Sequence, residues 1–169
     1  LIGQLETKAK ELGGYIGDHA FNRVQVYLPP ERIKDLAAWG EIKTIKLPST
    51  PETSGNNVRS EGLSIGNINN WKSNGITGKN VKVGVLDVGF SGFSSLAGSE
   101  LPVNTTAVYT GTQADFDSTG HGTACAEIIY DVAPDADLYL VNVADLDVDY
   151  ISAVNWLEQK NVDVISSSM

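Results

Sequence analysis

Two residues in this chain have the type and setting to do chemistry together. Asp87 follows the apolar run at residues 81–86 and precedes Val88-Gly89. A strand of that composition delivers a carboxylate to the rim of a core. In open parallel sheets, ligands bind beyond the carboxyl ends of the strands. On this segment alone Asp87 reads either as a functional carboxylate or as a turn aspartate ahead of Gly89. His121 lies within Ser118-Thr119-Gly120-His121-Gly122-Thr123-Ala124-Cys125-Ala126. The flanking glycines remove bulk around the imidazole and admit close backbone approach. A histidine between two glycines, at a helix start and after a strand-end aspartate, points to a functional role. The other histidine, His19, falls in an expected hairpin and reads as a surface residue.

The elements that must position this pair follow from hydrophobic spacing. The run at 81–86 predicts a strand, and Cys125, Ile128, Ile129 and Val132 predict the buried face of a helix that starts near His121. Residues 138–143 are almost continuously apolar, as in a strand covered on both faces. Ile151, Val154 and Leu157 mark another helix, and Val162-Asp163-Val164-Ile165 reads as a buried strand. Strand, helix, strand, helix, strand implies an α/β unit with a parallel sheet and right-handed crossovers. Ahead of it, Ser64 caps an expected helix whose face is Ile65, Ile68 and Trp71 and which Gly75 ends.

Residues 1–48 read differently. Leu1, Ile2, Leu5, Ala9 and Leu12 recur at helical spacing, and Gly13-Gly14 stops the helix. Residues 15–19 and 23–28 predict a hairpin, residues 30–40 a second helix, and residues 42–47 a third strand. With one more strand before Leu1 this is the split β-α-β, ferredoxin-like α+β pattern. Residues 49–60 have the Pro, Ser, Thr, Gly and Asn content of a linker. The expected domains are therefore 1–48, a linker at 49–60, and 61–169.

Charge separates the same segments. Residues 1–48 hold seven basic and six acidic side chains, whereas 49–169 hold five and fifteen. No Lys or Arg lies between Lys82 and Lys160. The net charge of −9 and this basic desert argue against nucleic acid or nucleotide phosphate as partner. Neither G-x-G-x-x-G nor G-K-[ST] spacing is present. No apolar run is long enough to span a membrane. The single cysteine, Cys125, excludes an intrachain disulfide and reads as a structural thiol. The first residues lack signal-peptide character, and the chain stops directly after an apolar strand. Both ends suggest a piece of a longer polypeptide.

The ordered motifs resemble those of the subtilases, the subtilisin-like serine peptidases. Val83-Gly84-Val85-Leu86-Asp87-Val88-Gly89 resembles their aspartate motif, and His121-Gly122-Thr123-Ala124-Cys125-Ala126 their histidine motif. Val132-Ala133-Pro134-Asp135-Ala136, Ala153-Val154-Asn155-Trp156 and Asn161-Val162-Asp163-Val164-Ile165-Ser166 are similar to the stretches that follow. The order Asp then His is the subtilisin order. The resemblance implies that Asp87 orients the imidazole and that His121 serves as general base, then general acid. It implies peptide or protein substrates, with Ser168 and Met169 on the strand that lines the primary specificity pocket.

It also implies that residues 1–48 are a propeptide-like domain that packs on the peptidase domain, with processing in 48–60. The parent is expected to be secreted or held at the cell surface. The family's nucleophile lies well past the histidine, and neither its serine motif nor its oxyanion asparagine occurs here. The fragment alone is therefore expected to be inactive. Val88 replaces the usual Ser or Thr, and Glu127 stands where glycine is common. The histidine helix lacks the insertion that carries calcium in many members. No cofactor and no metal ligands are expected. The rival reading is a pseudopeptidase or structural module that keeps Asp87 and His121 without a nucleophile.

Overall fold

The computed structural model describes residues 1–47, 62–144 and 147–169. The chain divides into two compact units, Leu1–Ser49 and Thr50–Met169. The expected linker at 49–60 lies outside the described residues.

In the first unit, helix α1 (Ile2–Glu11) buries Leu5 and Ala9. Lys8 and Lys10 sit in its last turn, where cations suit the helix dipole, and pair with Glu11 and Glu6. Strands β1 (Tyr15–Ala20) and β2 (Arg23–Tyr27) form an antiparallel hairpin with an irregularity between Ile16 and His19. A 3-10 turn at Pro30–Arg32 leads into helix α2 (Ile33–Ala37). Leu5, Leu12 and Leu36 form the core, with Ile16, Val24, Val26 and Leu28 packed around it. The expected strand at 42–47 is absent. In the split pattern the last strand pairs beside the first, and residues 1–47 contain only the two hairpin strands. An extended segment without a neighbour makes no ladder.

The described part of the second unit starts with helices α3 (Gly62–Ile65) and α4 (Ile68–Ser73), where the spacing predicts one helix. Asn67 takes a left-handed φ of 53° and separates them. Ser64 lies inside α3 and does not cap it, while Ile65 and Trp71 are exposed. Next come β3 (Lys82–Asp87), α5 (Phe93–Leu96), β4 (Thr106–Tyr109), α6 (Gln113–Phe116), α7 (His121–Val132), β5 (Asp137–Asn142), α8 (Asp147–Gln159) and β6 (Val164–Ser167). The four strands form a parallel sheet in the order β4-β5-β3-β6. The chain therefore folds as the expected α/β unit, with β4 as an addition. Among the described residues no helix is long and apolar enough to cross a membrane.

Strand periodicity divides the core between the two faces of this sheet. Val83, Val85, Leu138 and Leu140 pack with Phe90, Leu101, Phe116 and Ala126 of the α7 side. Leu86, Val141 and Val143 pack with Ala153 and Leu157, on α8. Two expectations change. On α7 the buried residues are Gly122, Thr123 and Ala126, whereas Val132 is exposed. Small side chains let the helix lie close to the sheet; Cys125 and Ile129 of the expected face are partly buried and pack against the same core, and only its Val132 end is exposed. The run at 162–165 is also not buried: β6 is an edge strand, with Val164 52% and Ile165 40% exposed.

Candidate active site

Asp87 is the last residue of β3 and is fully buried. Its carbonyl accepts the Val143 N–H at 2.9 Å, which ties the strand end to β5. Its Oδ1 accepts the Val88 N–H at 2.9 Å. Beyond it the chain is laced to the approach of α7. Phe90 N–H donates to Phe116 O (2.6 Å), Ser91 N–H to Thr119 O (2.8 Å) and Gly122 N–H to Gly89 O (3.0 Å). The Thr123 hydroxyl donates to Ser91 O at 3.0 Å. Each bond satisfies a backbone group that the tight junction would otherwise strand.

Gly122 is required for want of space. A Cβ there would stand 2.6 Å from the Phe90 ring, 2.7 Å from Asp87 Cβ and 2.7 Å from Gly89 O. Two of those neighbours are fully buried and the third is backbone, so none can give way cheaply. With hydrogen there instead, the first turn of α7 lies directly on the end of β3. That contact brings His121 to Asp87.

His121 Nδ1 lies 2.8 Å from Asp87 Oδ2. The two side chains are 15% and 0% exposed. An ionised carboxylate can only accept, so Nδ1 carries the proton and Nε2 is left as the acceptor. A buried carboxylate without partners is costly. Here Nδ1–H and the Val88 amide both donate to it. The backbone amide of Val88 thus supplies a support that its side chain cannot.

The expected substrate-binding residues Ser168 and Met169, and the expected structural thiol Cys125, fall at different depths. Cys125 Sγ lies 3.9 Å from His121 Nδ1, one helical turn along α7. Burial pushes its thiol above the ordinary value; a hydrogen bond from Ser168 opposes this, and the Asp87 charge adds to it. Ser168, just past β6, is thus brought to the flank of the pair. Met169 packs against the cluster of Leu86, Val141 and Leu157. His19 is an exposed residue of β1, apart from this group.

Sequence reasoning passed over Asn142. It is level with Asp87 on β5 and fully buried. Its Oδ1 accepts the Thr110 N–H and its carbonyl accepts the Thr110 hydroxyl, both at 3.0 Å. Its Nδ2 has no hydrogen-bond partner among the described residues. The signal was an amide at the end of an otherwise apolar run. The reading also missed that Asp87, His121 and Cys125 place donor atoms within 4.8 Å of one another.

With that geometry established, comparison with known proteins gives two matches. The model of the subtilase family matches residues 78–169. The minor extracellular protease Epr of Bacillus subtilis (strain 168) is 30% identical over 115 residues, 59% of this chain. The aligned part is 17% of that protein, so the chain spans well under a fifth of its relative's length.

Proposed function

The chain belongs to the subtilase family, and on that footing we propose that it is part of a serine endopeptidase whose Asp-His-Ser triad takes its first two members from Asp87 and His121. The 2.8 Å contact between Nδ1 and Oδ2, with the carboxylate fully buried, carries this reading. Asp87 holds the imidazole with Nε2 free to accept. His121 then takes the proton of a serine hydroxyl supplied from outside these 169 residues, and later returns it to the leaving amine. As the imidazole becomes a cation, the buried carboxylate stabilises it without taking the proton. In this low-dielectric setting that stabilisation is stronger than at a surface.

Peptides or proteins are the substrates. Ser168 and Met169 line the pocket for the substrate side chain, on the strand end that neighbours the pair. Residues 1–48 act as a propeptide-like unit that packs on the peptidase unit, joined through 49–60, the natural region for processing. The separate compactness of Leu1–Ser49 supports this division. The parent works outside the cell or at its surface, as the name of the extracellular relative suggests.

A fluorophosphonate probe tests the proposal, because it labels only an activated serine. The expected result is labelling of the full-length protein and none of residues 1–169. Labelling of the shorter chain would put the nucleophile in the wrong place. No labelling of the full-length protein would favour a pseudopeptidase that retains the pair as structure.

A further inference from the structure

The mechanism above leaves Cys125 idle beside the pair. We propose that Asp87, His121 and Cys125 together bind a thiophilic divalent cation, Zn2+ or Cd2+, and that the bound cation silences the general base.

The donor atoms are already gathered. Nδ1 and Oδ2 stand 2.8 Å apart, Sγ and Nδ1 3.9 Å, and all three atoms lie within 4.8 Å of one another. A tetrahedral ion with bonds of about 2.0–2.3 Å holds its ligand atoms roughly 3.3–3.8 Å apart. Each pair therefore needs an adjustment of at most about 1.5 Å, within the reach of side-chain rotation. One sulfur, one imidazole nitrogen and one carboxylate suit Zn2+ or Cd2+, whereas Ca2+ and Mg2+ prefer oxygen alone. The sequence points to no metal, because the histidine helix lacks the calcium-bearing insertion of many subtilases and Cys125 reads as a structural thiol. Folding sets it one turn below His121.

Binding and silencing follow from the same atoms. The thiol proton leaves to solvent, the imidazole proton moves through solvent from Nδ1 to Nε2, and Oδ2 has none to lose. The metal takes the Nδ1 lone pair and opens the Nδ1–H to Oδ2 hydrogen bond. A neutral imidazole bound through Nδ1 carries its one N–H proton on Nε2. The atom that must accept from serine becomes a donor, and catalysis stops. Only this consequence rests on the role proposed for His121; the binding rests on the geometry.

The test is a titration of the full-length protein with Cd2+, followed by the ultraviolet charge-transfer absorption of a cadmium thiolate. One equivalent is expected to develop the band. Cys125→Ser should lose the band and weaken binding at least tenfold. Asp87→Asn should keep the band but bind at least tenfold more weakly, because one ligand is gone. Far-ultraviolet circular dichroism checks that each variant is folded, with Cys125→Ala as the substitute if serine disturbs the helix. A band whose affinity is unchanged in Asp87→Asn would reduce the site to a lone thiol and overturn the proposal. Equal binding by the cysteine variant would do the same. If the protein proves inactive on peptides, the isotherm still reports the site, so this inference and the peptidase reading can fail separately.

Discussion

Residues 1–49 build their core from one layer of contacts: three leucines of α1, its C-terminal flank and α2 over a two-stranded hairpin. Trp39 packs against this core only part-buried, while Tyr15 stacks on Tyr27 at 4.6 Å and Phe21 is 83% exposed. Residues 50–169 cover both faces of a four-stranded sheet and leave Phe90, Phe116, Leu86 and Leu140 without solvent contact. In the first unit an added Cβ at Gly3 meets nothing within 4 Å, whereas at Gly122 it collides with three neighbours. The contrast separates two demands. An apolar pattern is enough to make a small unit compact. Bringing a carboxylate and an imidazole 34 positions apart in sequence to 2.8 Å needs steric fit.

The largest difference between the units should come from the site itself. Asp87→Asn in the full-length protein should lower kcat on a peptide substrate by roughly 10^4-fold, the scale known for the corresponding change in a trypsin triad. Near-normal turnover would remove Asp87 from the mechanism. No substitution in residues 1–49 should approach that effect on the processed enzyme.

Core truncations come next. Leu140→Ala removes a fully buried side chain from the middle of the sheet and should cost about 2–5 kcal/mol of stability in urea unfolding. Leu5→Ala should release amide hydrogen exchange only within residues 1–49. If protection also falls across β3 and β5, the units are not independent.

Paired glycine substitutions give a smaller contrast, and one of opposite sign. Gly122→Ala should destabilise by about 1–3 kcal/mol, through overpacking, and should lower kcat by displacing His121. Gly3→Ala, inside α1 with open space around it, should stabilise by about 0.5–1 kcal/mol. Equal signs in thermal melts would refute the steric account of Gly122.

The smallest effect concerns Glu127 on α7. Burial raises its carboxyl above the ordinary value, and the charges of Glu100 and Asp131 add to this. The folded state then keeps a proton that the unfolded state has already released. Stability is lost as pH rises from the ordinary glutamate value through the raised one. Glu127→Gln should therefore raise Tm at pH 7, by no more than about 3 °C, and the gain should vanish below the ordinary glutamate range. An unchanged Tm difference across that range would mean that the charge is not the cause.

Much of the sheet and the pair itself was legible beforehand. Residues 81–86 and 138–143 carry continuous apolar runs, which in a strand demand cover on both faces. Gly120 and Gly122 around His121 announced a close approach. At 162–165 the apolar run predicts a buried strand, and within these 169 residues β6 pairs with β3 on one side and is exposed on the other. The expected helix face packs against the core at Cys125 and Ile129 but not at Val132, because the closest-packing residues, Gly122 and Ala126, carry little hydrophobic weight and turn the helix slightly from the apolar stripe. Strand β4 was hidden in a Gly/Ser/Thr-rich stretch, where four residues give no readable alternation.

The sequence by itself determined the class of the second unit, the identity of the carboxylate and imidazole that pair in it and their order along the chain, since these depend on local composition and short-range periodicity. Tertiary structure decided what those side chains meet. The strand order put Asn142 level with Asp87 and left β6 at the edge. The seating of α7 on the end of β3 closed the hydrogen bond to His121 and brought Cys125 beneath it. Such pairings are set by packing among segments distant in the chain, where van der Waals exclusion selects one arrangement and no local pattern records the choice.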